Sequence, residues 1–105
     1  MATCVRVPVM RAHAEAINLE FARDISEAEA LAVLEKAAGV RIINDRANNR
    51  FPTPLDATDQ DDVYVGRIRK DMSMSGNRAL SIIVCGDQIR KGAALNAVQI
   101  SELLL

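Results

Sequence analysis

Aromatic side chains are nearly missing from this sequence, which has no Trp, one Tyr and two Phe. Any core must therefore be aliphatic, and a stacking platform for single-stranded nucleic acid is out of reach. No charge of one sign prevails. Thirteen basic residues against fourteen acidic ones leave a formal net charge of -1, so the electropositive face that binds a phosphate backbone is absent and nucleic acid is not an expected partner. No apolar run reaches the length of a membrane-spanning helix. The segment Met1 to Arg11 is broken by Arg6, Pro8 and Arg11 and does not read as a signal peptide. A membrane partner is not expected, and the cytoplasm is the expected compartment. One His and two Cys, with no CxxC spacing, leave no ligand set for a structural metal. Cys4 and Cys85 each sit in an apolar, strand-like run and read as buried, reduced thiols.

What is present is aliphatic patterning. Half of the 105 residues are hydrophobic, enough for one domain with a modest core. Val5, Val7 and Val9 alternate with Cys4, Arg6 and Pro8, which predicts a strand over 3–9, with Pro8 pushing it to an edge or an end. Ile17, Leu19 and Phe21 predict a second strand after a short connection around His13. Ser26 and Glu29 form a capping box, and Ala30, Leu31, Leu34, Ala37 and Ala38 continue one apolar face until Gly39 stops the helix. Val40 to Ile43 is a short strand, and residues 44–62 are a long polar loop of the kind that carries function or faces a subunit. Strands over 63–69 and 79–85 flank turn chemistry at Ser75-Gly76-Asn77, and the run Ile82-Ile83-Val84 implies that the second is covered on both faces. From Gln88 onward the pattern is helical and apolar around most of its girth, which requires a cover beyond this domain.

The expected order is β-β-α-β-β-β-α: an α+β domain with a mainly antiparallel sheet and helices on one face. Residues 1–86 form its body and 87–105 a terminal helix.

His13 is the one side chain whose type titrates near neutrality, which suits an acid/base. Arg6 is out of place on a valine strand and suits bidentate capture of a carboxylate or phosphate. A tight connection would bring the two into one pocket. The bland readings are a surface histidine and a solvated or ion-paired arginine. Cys4 is rejected as a nucleophile, since its apolar neighbours and the lack of a nearby helix start argue against an activated thiolate. Gly86-Asp87-Gln88 opens the last helix beside Arg90 and Lys91, where an anion or cofactor could be met, although the spacing is neither GxGxxG nor a P-loop.

Three segments, in order, carry a resemblance. Thr-Cys-Val-Arg-Val-Pro-Val (3–9) leading into Arg-Ala-His-Ala-Glu-Ala-Ile-Asn (11–18) resembles the active-site segment of aspartate-semialdehyde dehydrogenases. Asn49 to Ala57 resembles the long loop of that family, and Gly86 to Ile100 its C-terminal signature. The resemblance implies the α/β-type C-terminal domain of an enzyme that converts 4-aspartyl phosphate and NADPH to L-aspartate 4-semialdehyde and phosphate, in the service of lysine, threonine and methionine biosynthesis. It implies His13 as the acid/base, Arg6 as the ligand of the substrate's α-carboxylate and Asn96 as a nicotinamide contact. It further implies NADP as cofactor, a homodimer built on the sheet, and a last helix packed on an NADP-binding domain. The family's nucleophilic cysteine and dinucleotide loop have no match here, so the chain by itself is expected to be inactive. The competing expectation is a stand-alone small-molecule-binding or interaction domain of ferredoxin-like type.

Overall fold

The computed structural model describes residues 1–105. Five strands form one sheet in the order β1-β2-β5-β4-β3: β1 Ala2–Val5, β2 His13–Glu20, β3 Val40–Ile42, β4 Val63–Lys70 and β5 Ala79–Gly86. Three of the four pairings are antiparallel, and β3 runs parallel to β4. The helices are α1 Glu27–Leu34, α2 Pro54–Ala57 and α3 Leu95–Glu102. No helix is long and apolar enough to cross a membrane.

Helix α1 starts where its capping box places it. The Ser26 hydroxyl accepts from Glu29 N at 3.1 Å while the Glu29 carboxylate accepts from Ser26 N at 2.8 Å. It ends at Leu34, and two tighter turns through Ala37 lead to Gly39, whose φ of +73° an L residue would resist. Ala30 meets Val65, Ile68, Leu80 and Ile82, forming the main core on one face of the sheet.

The alternation of β5 assigns the two faces. Leu80, Ile82 and Val84 point toward α1, whereas Ile83 and Cys85 point away. The expectation of helices on one face needs an addition, because the one-turn α2 lies across the far face, where Ala57 packs on Cys85 and Ala12. Thr53-Pro54-Leu55-Asp56 starts it, with Pro at the first turn and the Asp56 carboxylate accepting from Thr53 N at 2.8 Å. The loop before it crosses β4 closely. A Cβ on Gly66 would lie 2.0 Å from Ile43 O and 2.4 Å from Pro52 Cδ.

Two strand boundaries differ from expectation. β1 stops at Val5 rather than Val9, because the chain bends at Pro8 with a hydrogen bond from Val9 N to Val7 O of 2.7 Å. β2 begins at His13 rather than Ile17, since β5 offers an unbroken ladder from His13↔Gly86 to Glu20↔Ala79. Pairing overrides the weak strand preference of Ala14-Glu15-Ala16. Cys85 is buried as expected, but Cys4 is exposed, because β1 is an edge strand with no helix over it. The terminal helix is also not uniform: Gly92 N reaches Asp87 O and Ala94 N reaches Ile89 O five residues back, so a π-turn over Arg90–Ala94 precedes α3.

Candidate functional site: a cleft between Arg6 and His13

The corner between β1 and β2 makes the site. Ala12 takes a left-handed φ of 68° while buried against Ala57 and Cys85, so the chain turns sharply just before His13 enters the sheet. A constrained backbone held by packing is a common companion of a functional side chain. His13 stands on the α1 face beside Glu15, with Nδ1 3.5 Å from Glu15 Oε1, and its ring is partly exposed. Arg6 follows the last residue of β1. Arg6, His13, Cys4, Val7 and Gln88 are among the residues lining one cleft of about 440 Å³. The two residues singled out from the sequence therefore share a cavity wall. Arg6 has no ion-pair partner within the chain, so its guanidinium is available to a ligand.

Asn96 is half-buried on α3 and does not line this cleft. Gln88 does, and the sequence signals that named its segment did not single it out.

Asp87 is the other residue missed. It is fully buried at the end of β5, and its carboxylate accepts from Asp59 N at 2.8 Å, Ile89 N at 2.9 Å and Arg90 N at 3.1 Å. Arg11 Nε lies 2.6 Å from the same carboxylate, an ion pair whose N–H is not aligned for a straight hydrogen bond. Burial alone would push the Asp87 pKa up. The backbone donors at Arg90, Asp59 and Ile89, with the Arg11 guanidinium, outweigh it and hold the carboxyl below its usual range. One carboxylate thus ties the His13 corner, the end of α2 and the start of the last helix together. The signal was available: an Asp directly ahead of a helical pattern is a helix N-cap.

Neither thiol is set up as a nucleophile. Burial, with the nearby Asp56 charge adding to it, pushes the Cys85 thiol up to about 11. Cys4 lines the cleft but stands on a strand with no helix N-terminus behind it. No group of three or more His, Cys, Asp or Glu is placed to hold a metal ion.

Comparison with known proteins gives the family and the fold. Residues 1–91 match the family described as "Semialdehyde dehydrogenase, dimerisation domain". The chain is 60% identical over 104 residues to the aspartate-semialdehyde dehydrogenase of Synechocystis and 58% identical to that of Prochlorococcus marinus, in each case covering 99% of this chain and 30% of the relative. Among solved structures, aspartate semialdehyde dehydrogenase II from Vibrio cholerae superposes with a TM-score of 0.82 at 41% identity, over 94% of this chain and 28% of that one. The chain spans under a third of the length of the relatives it matches. A mixed sheet that superposes on a solved relative and a family match across most of the sequence lead to one conclusion: the chain belongs to the semialdehyde dehydrogenase family, as its dimerisation domain.

Proposed function

We propose that this chain is the C-terminal part of an aspartate-semialdehyde dehydrogenase, supplying the acid/base and the substrate-carboxylate ligand to the reductive dephosphorylation of 4-aspartyl phosphate. The observation that carries this reading is the shared cleft of Arg6 and His13. Arg6 presents a rigid fork of N–H donors that matches a carboxylate bidentately, and orients the substrate from the end that does not react. His13 then takes or gives a proton at the attacking thiol and at the oxygen of the tetrahedral intermediate, with Glu15 beside Nδ1 to steady the ring and Nε2 left for the chemistry. The thiol that would carry the acyl group is not among the residues here, because Cys85 is sealed and Cys4 is not activated. The chain by itself is inactive on this reading.

NADPH supplies a hydride when bound. The residues of this chain do not by themselves fit a dinucleotide: β5 leads into a π-turn rather than a glycine-rich crossover, and its neighbours run antiparallel. Asn96 is the proposed contact toward the nicotinamide end of the cofactor. Residues 1–86 are the proposed substrate and dimer body, and 87–105 the proposed contact with a cofactor domain. The far face of β1, β2 and β5, where Ala14, Ala16 and Ile83 are partly exposed, is the proposed homodimer surface.

The test places the substitutions in the full-length protein that carries these residues. His13→Gln is expected to lower kcat by about 10²–10⁴ with KM little changed. Arg6→Lys is expected to raise KM for the amino-acid substrate and leave KM for NADPH unchanged. Wild-type turnover in His13→Gln would remove the assignment. Sedimentation of the same proteins is expected to show a dimer, and a monomer at high concentration would remove the dimer surface.

A further inference from the structure

Away from the Arg6–His13 cleft, the loop after β3 and the outer part of β4 enclose a second cavity of about 230 Å³. Its wall holds Arg46, Arg50, Arg67 and Arg69 against a single carboxylate, Asp45. The register sets it apart: Arg69 pairs with Ser81, near the start of β5, whereas His13 pairs with Gly86 at its end. The two cavities share no lining residue.

Backbone carbonyls fix the guanidinium groups in place. Arg69 donates to Arg67 O at 3.1 Å, Arg50 to Phe51 O at 2.9 Å, and Arg46 to Ile68 O. Arg67 sits in the irregular stretch of β4 with a left-handed φ of 49°, which aims its side chain over the Phe51 ring, 5.2 Å from the centroid. Two of the four charges are met within the chain, Arg46 by Glu27 and Arg50 by Asp56. Asp45 is occupied by Asn48, and Asp71, which feels the Arg69 charge, is occupied by Ser73 and Asn18. Arg67 and Arg69 have no carboxylate partner. Holding like charges together in a concave wall costs stability unless something of opposite sign joins them.

We propose that this arginine-lined cavity binds a small, multiply charged phosphate-type oxyanion. Forked N–H donors held in fixed positions suit tetrahedral oxygens, and the volume accommodates more than one phosphoryl group.

The experiment titrates pyrophosphate, inorganic phosphate and glycerol 3-phosphate separately into the ¹⁵N-labelled chain at low ionic strength. Both backbone amides and arginine Nε–H signals are followed. Saturable shifts confined to Asn49, Phe51, Arg67 and Arg69 are expected, with pyrophosphate binding tightest. In the double variant Arg67→Gln, Arg69→Gln, affinity is expected to fall by at least about tenfold, while Arg6→Gln leaves it unchanged. Both arginines are exposed, so the variant is expected to melt with the wild type, which separates lost binding from lost fold. A response centred on Arg6, linear shifts spread over all arginines, or equal affinity in the double variant would overturn the proposal. None of these outcomes depends on the role given to His13. The relative response to free phosphate, diphosphate and phosphomonoester tells which form the cavity takes.

Discussion

The strand β5 and the helix α3 are both rich in aliphatic residues, and they meet opposite fates. In β5, Ala79, Leu80, Ser81, Ile82 and Cys85 are buried, with α1 over one face and α2 over the other. In α3 no residue is buried, and Val98 and Ile100, with Leu103 and Leu104 just past its end, are all more than half exposed. The strand is held by neighbours on both edges. The helix touches little beyond the π-turn that precedes it. The difference teaches that the domain's own core is complete without α3, whose apolar surface stays open to water in this chain.

The comparison breaks first at Leu80. Leu80→Ala leaves a cavity in the main core and is expected to destabilise the domain by about 3 kcal/mol, read as a lower denaturant midpoint. If the loss is below about 1 kcal/mol, the strand is not the anchor described.

Next comes Asp87, the joint between the two regions. Asp87→Ala removes three accepted backbone hydrogen bonds and the partner of Arg11, and is expected to cost about 2 kcal/mol. The same group sets a pH dependence. Its carboxyl is held below the usual range despite burial, as Glu27 is by the Lys70 backbone N–H and Arg46, and Asp71 by Ser73 and Asn18. A lowered pKa means that the fold favours the charged form. That stabilisation is complete above the ordinary carboxylate range, at about pH 4 and higher, and is lost as pH falls through the lowered values. Urea midpoints between pH 7 and pH 2 should fall on the acid side. In Asp87→Asn the fall should be shallower, and an unchanged slope would show that Asp87 is not a contributor.

The smallest effect is expected just past the end of α3. Leu104→Ser should change stability by no more than about 0.5 kcal/mol in this chain, because the side chain is already in water. A loss comparable to that of Leu80→Ala would mean that the helix is covered in solution, and the contrast between the two regions would vanish.

Several parts of this molecule were legible one residue at a time. The capping box at Ser26 and Glu29, the left-handed stop at Gly39, the β4–β5 hairpin and the doubly covered β5 all rest on interactions within a few residues or on a short apolar run. The uncovered last helix was also legible, since an all-round apolar pattern states a need for cover without naming it. Arg6 and His13 could be nominated by residue type, because the connection between them is too short to separate them widely. Thr53-Pro54-Leu55-Asp56 carries the signal of a helix start, masked by a loop that is otherwise polar and irregular.

By itself, then, the sequence determined the local signals: where helices cap, where turns fall, which strands are aliphatic and which two side chains could serve a site. Tertiary structure alone decided the ends and the surroundings. β2 reaches back to His13 because β5 is there to pair with it. Cys4 is exposed and Cys85 sealed because one lies on an edge strand and the other under α2. Asp87 became the hub of three segments, and Arg67 and Arg69 became neighbours without a counter-charge, through contacts between residues distant in sequence. Such contacts depend on where the chain places its partners in space, which no local pattern encodes.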